Sequence, residues 1–102
     1  MKRDEVIAVL RAHEPELKSA GIESVRVFGS VARGEATDAS DVDLVVKLRR
    51  GMHEGGFDYF GRLDELANRL SAVLGCHVDL VAEPVRKARL RQQIEREAAR
   101  AF

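Results

Sequence analysis

The sequence predicts an α/β fold, one layered domain with helices packed on a short sheet. Three observations carry this. Apolar residues recur at helical spacing in three long stretches. Three shorter stretches are β-branched and either alternate or run together. The two kinds take turns along the chain, which is the pattern of an α/β layer structure. With 102 residues there is room for one modest core, so residues 1-102 are read as a single domain.

Residues 3–20 read as helix, with Val6, Val9 or Leu10, His13 and Leu17 on one stripe. Pro15 lacks an N–H and clashes with the preceding turn, so a break near His13 and a restart are expected. Gly21 is a suitable stop. Residues 24–28, SVRVF, alternate between glycines and read as a strand. Residues 30–33 can make a short helical turn ended by Gly34, and residues 35–40 read as a loop. VDLVVKL, residues 42–48, is the most apolar run and is expected to be a central strand. Gly51, Gly55 and Gly56 mark a connection. Phe57, Phe60, Leu63, Leu66 or Ala67, Leu70 and Leu74 then form a helical stripe closed by Gly75. HVDLV, residues 77–81, is a third strand, Glu83-Pro84 a turn, and residues 85–99 a last helix bearing Leu90, Ile94 and Ala98.

Hydrophobic residues make up 45% and charged residues 33%, a composition that folds. The formal net charge is zero, which gives no general attraction to nucleic acid or an anionic membrane, and neither is expected as a direct partner. Basic residues do gather in 86–100, either as a solvated helix face or as a surface for a phosphate or acidic partner. Cys76 is the sole cysteine, so no internal disulfide forms; this fits a reducing, cytoplasmic location. Cys76 itself reads as a small core hydrophobe. The N-terminus lacks an apolar signal region, and no run is long enough to span a membrane. His13 reads as a partly exposed helix residue, His53 as a solvated loop residue, and Tyr59 and Phe60 as core or interface aromatics.

The chemistry lies in FGSVARGEATDASDVDLVV, residues 28–46. Glu35, Asp38, Asp41 and Asp43 face a single base, Arg33. Strand side chains alternate, so Asp41 and Asp43 share one face while Val42, Leu44 and Val46 share the other. Two carboxylates so close resist joint ionisation, but they suit a hard divalent cation such as Mg²⁺. Asp79 points away from the apolar layer in the same way. If its strand pairs with that of Asp41 and Asp43, three acids converge, as a two-metal site requires. Upstream, Gly29-Ser30 sits where a strand turns into a helix start, a place where backbone N–H groups and a hydroxyl can cradle phosphate. Arg33 lies a turn later, within reach of the same phosphates.

Other phosphate and metal motifs fail. A P-loop needs lysine where Glu35 stands, and no G-x-G-x-x-G is present. An EF-hand begun at Asp41 would need glycine and glutamate where Val46 and Met52 stand. Cys76-His77 has no second ligand pair for structural zinc. Many D-x-D pairs are surface turns; what carries weight is the joint order of strand, G-S, ten residues, D-x-D entering a strand, and a later strand-borne acid.

That order, G-S-x₁₀-D-x-D, resembles the nucleotidyltransferase superfamily that includes DNA polymerase beta and the aminoglycoside nucleotidyltransferases. The fuller string, with FDYF opening the long helix and VDLV in the last strand, resembles the minimal nucleotidyltransferase (MntA-like antitoxin) family across nearly the whole chain. The resemblance implies a short mixed sheet of about three or four strands. It implies that Gly29 and Ser30 bind nucleotide phosphates, that Asp41 and Asp43 hold two Mg²⁺ ions, and that Asp79 completes the metal site and helps deprotonate the attacking hydroxyl. Arg33 and Ser40 match positions around the triphosphate. It further implies transfer of AMP from ATP to a hydroxyl, a tyrosine of a partner HEPN-type toxin, in a hetero-oligomeric type VII-like antitoxin. The larger superfamily members carry a second domain for the acceptor, so an acceptor brought by a partner protein is expected. Two alternatives stay open: a non-catalytic antitoxin that neutralises by occupancy, and a catalytic subunit acting on a small hydroxylated molecule.

Overall fold

The computed structural model describes residues 1–37, 39–51 and 57–102, apart from the side chains of Phe57 and Asp58. Asp38, His53 and the glycines at 55 and 56, read above from sequence, lie outside the described residues.

The first helical stretch divides where proline predicts. Helix α1 spans Arg3–Ala12 and α2 spans Glu14–Ser19, with Pro15 in the first turn of α2, where a missing N–H costs nothing. Val6, Leu10 and Leu17 are its buried face. Strand β1 is Ile22–Phe28, the four-residue helix α3 is Gly29–Ala32, β2 is Val42–Leu48, α4 is Phe57–Leu74 and β3 is Val78–Ala82. Helix α5 is Ala88–Glu97, shorter at its start than the sequence suggests. Lys87 is extended and stands just before its first turn, so the residues after Pro84 run outside the helix. Ala98 is extended too, and the chain leaves α5 into a two-residue strand, β4, Ala99–Arg100. That strand is too short to carry a pattern, so the expected helix through Ala99 ends instead at Glu97.

The four strands lie in the order β3-β2-β1-β4. β1 pairs antiparallel with both β2 and β4, and β2 pairs parallel with β3, so the sheet is mixed and β2 is internal, as expected. Val25 opposes Val46 and Val27 opposes Leu44, and these share the face covered by α1, α2 and α4. Leu66, Leu70 and Leu74 of α4 close that core. Phe60 departs from the expected stripe and is 67% exposed, while its neighbour Tyr59 packs against the core. Cys76 is partly buried against the same core. Phe28, Val45 and Ile94 form a smaller cluster on the opposite face, under α5. The face that carries the acids is therefore half covered by a helix. Among the described residues no helix is long and apolar enough to cross a membrane.

Leu70 is fully buried and lies away from the acids. Leu70→Ala is expected to cost about 2–5 kcal/mol. In a domain of this size that lowers the melting temperature by about 4–8 °C per kcal/mol, which a thermal unfolding scan followed by circular dichroism would check.

Candidate active site

The register of the sheet brings the aspartates together. Asp43 pairs with Asp79 across the parallel β2–β3 ladder, and with Phe28 across the antiparallel β1–β2 ladder. Asp43 thus has an acid on one side and the end of β1 on the other. Asp41 stands two residues before Asp43, at the mouth of β2, on the same face by strand alternation. The three sequence-predicted carboxylates share one patch.

A histidine joins them. His77 Nδ1 lies 3.4 Å from an Asp41 carboxylate oxygen and 3.9 Å from one of Asp79. Sequence reading passed over it, although its place two residues before Asp79 puts it on the same strand face. Asp41, His77 and Asp79 bring one potential ligand atom each within 4.8 Å of one another, all on exposed side chains.

Asp43 is the least exposed of the acids. Burial pushes its carboxyl above the ordinary carboxylate range, the charges of Asp79 and Asp41 push it further, and Arg33 pulls only partly back. The repelling carboxylates form an oxygen donor set that suits a hard divalent cation, whose charge would remove the penalty, whereas the His77 imidazole is a ligand type for softer metals. The residues present therefore fit the metal implied by the sequence pattern.

Gly29 forms the wall beside them. Its φ is +76°, a conformation that side-chain-bearing residues rarely adopt, and a Cβ built on it would lie 2.1 Å from Asp43 Oδ2. Glycine is required here twice, once by the backbone and once by the carboxylate packed against it. Ser30 follows in the first turn of α3, half-buried.

The remaining predicted residues are held by protein groups. Arg33 donates to Glu35 at 2.9 Å and to both carboxylate oxygens of Glu97 at 3.0 and 3.1 Å, and these partners raise its pKa. Ser40 Oγ accepts from the backbone N–H of Thr37 at 2.9 Å, so its hydroxyl closes the loop that leads into Asp41. Glu97 itself was missed. It lies on a helix that the sequence marks as basic, 68 residues from Gly29, and nothing local pairs the two. On the other side, a cleft of about 550 Å³ runs between α4 and β3, lined by Phe60, Leu63, Asn68 and Leu80, and opens beside His77 and Asp79.

The chain as a whole is similar to known proteins. The nucleotidyltransferase domain family matches residues 10–101. The protein adenylyltransferase MntA of Thermococcus cleftensis is 35% identical over 95 residues, 92% of this chain and 90% of that protein. A relative from Methanocaldococcus jannaschii is 36% identical over 80 residues, 78% of this chain and 76% of that protein. A solved structure described as a minimal nucleotidyltransferase superposes with a TM-score of 0.72 at 38% identity, covering 97% of this chain and 95% of that one. A toxin–antitoxin MntA complex variant superposes at 0.62 with 25% identity, covering all of this chain and 72% of that one. By its matched domain, its identity to these relatives and its mixed four-stranded sheet, the chain belongs to the nucleotidyltransferase domain family, among the minimal, MntA-like members.

Proposed function

We propose that this chain transfers AMP from ATP to a hydroxyl of a partner protein, a tyrosine of a HEPN-type toxin, and so acts as an antitoxin. The observation that carries the reading is the Asp43–Asp79 pair, with Asp41 on the same face and the Gly29–Ser30 turn against it. In the reaction the acceptor oxygen attacks the α-phosphorus, the bond to the β-phosphate breaks, and pyrophosphate leaves. Ser30 and the backbone around it bind the phosphates. Asp41, Asp43 and Asp79 would hold two Mg²⁺ ions, with His77 beside Asp41 and Asp79. When bound, the ions neutralise charge on the attacking and leaving oxygens. Asp79 accepts the proton of the incoming hydroxyl; its exposed position beside the cleft along α4 supports this role. The cleft gives that acceptor a route that does not cross the phosphate turn. The protein's main contribution is positioning. Names borne by relatives support this reading, since one at 35% identity is a protein adenylyltransferase and one complex variant at 25% is a toxin–antitoxin assembly.

The test is transfer of label. With Mg²⁺ and a HEPN-type partner, ATP labelled at the α-phosphate should mark the partner, and ATP labelled at the γ-phosphate should not. Label on the partner from the γ position would indicate a kinase instead. Label appearing only on an added small hydroxylated molecule would move the acceptor to that class.

A further inference from the structure

Helix α3 cannot cap itself. It has four residues, and the residue before it, Phe28, offers no side-chain hydrogen bond to the free N–H groups of the first turn. Glu97, the last residue of α5, supplies what is missing. The Gly29 N–H donates to Glu97 Oε1 at 2.8 Å. Arg33, just past the other end of α3, donates to both oxygens of the same carboxylate. One side chain, only 15% exposed, therefore grips both ends of the turn. Gln93, one turn earlier on α5, donates to Glu97 at 2.8 Å and fixes the carboxylate on its own helix. Gly29 in turn is the surface against which Asp43 packs.

We propose that Glu97 is a positioning residue for the nucleotide site, an inference that rests on the nucleotidyltransferase reading above. Its carboxylate ties α5 to the Gly29–Ser30 turn and holds that turn at the place where it meets both phosphate and Asp43. A competing role is a stand-in, a carboxylate lying where a phosphate belongs and expelled when ATP arrives. The anchoring bond from Gln93 and the immediate turn of the chain from Glu97 into β4 argue for a fixed strut. Glu97 is also held ionised: burial opposes the charge, but the bonds from Gln93, Arg33 and Gly29 outweigh it and lower its pKa.

The experiment compares wild type, Glu97→Ala and Glu97→Gln, each titrated with a fluorescent non-hydrolysable ATP analogue and Mg²⁺, well below its own melting temperature. Loss of a hydrogen bond to a charged group predicts that Glu97→Ala weakens binding about tenfold or more. Glu97→Gln keeps an acceptor for the Gly29 N–H and is expected to lose only about threefold. Equal affinities in all three proteins would reduce Glu97 to a fold-stabilising residue, and tighter binding by Glu97→Ala would make it a stand-in; either overturns the inference alone. Absence of binding by wild type would remove the nucleotide reading and this inference with it. Should Glu97→Ala not fold, the threefold loss in Glu97→Gln carries the test, and its absence overturns the inference.

Discussion

Asp41→Asn combined with Asp43→Asn is expected to abolish AMP transfer and to raise thermal stability at neutral pH. The loss follows from removing two of the three carboxylates that the sheet register gathers. The gain follows from the environment of Asp43. Its folded-state pKa is raised, first by burial and then by Asp79 and Asp41, so the folded chain holds that proton more tightly than the unfolded chain does. The ionised form therefore destabilises the fold at neutral pH. The penalty shrinks as pH falls through the raised value and is gone below the ordinary carboxylate range. The double variant never carries this charge, so it should melt above wild type at neutral pH, and the difference should close on acidification. Adding Mg²⁺ should raise the wild-type melting temperature and leave the variant unmoved, because a ligand stabilises only a fold that binds it. Melting curves across pH, with and without Mg²⁺, check all three points. If the double variant still protects cells from a HEPN-type toxin, the proposed antitoxin action proceeds by occupancy and transfer is not its mechanism.

Gly29→Ala should cut transfer by about 100-fold or more, the scale set by a displacement of about 1 Å among reacting groups. The new methyl would sit 2.1 Å from Asp43 Oδ2, so either the carboxylate or the turn must move. Gly34→Ala is the matched control. Gly34 has nearly the same dihedral, φ +75°, but nothing within 4 Å of its ideal Cβ. Both substitutions carry the backbone strain, about 1–2 kcal/mol. Only the first collides with the site. Steady-state transfer rates beside melting temperatures would separate them: both variants lose stability, and only Gly29→Ala loses catalysis beyond what its unfolded fraction explains. Equal losses of activity would mean that close packing of Gly29 on Asp43 does not matter to the reaction.

Much of this site was legible from local pattern. The β-branched run after Asp41 specified β2, and the two-residue period of a strand then put Asp41 and Asp43 on one face. Pro15 marked the break between α1 and α2 because its missing N–H is tolerated only in a first turn. His77 is legible by the same alternation as Asp79, but beside a lone cysteine a histidine reads only as half of a zinc pair. Glycine at position 29 was foreseen for close approach of a phosphate; the structure shows that Asp43 already makes such an approach.

What the sequence determined by itself was the type and order of the elements up to α5, though not the two-residue β4, and the side of each strand its acids occupy, since both follow from periodicity over a few residues. Only the tertiary structure showed that Asp79 stands opposite Asp43, because strand alternation fixes the face of each acid but a two-residue slip between β2 and β3 would keep both faces and separate the pair. It likewise decided that α5 covers the acid-bearing face and delivers Glu97 to Gly29. The basic composition of that last stretch pointed to a cationic surface, yet the side chain it brings to the turn is an acid. Composition averages over a helix, whereas a contact across 68 residues depends on the one position that packing turns inward.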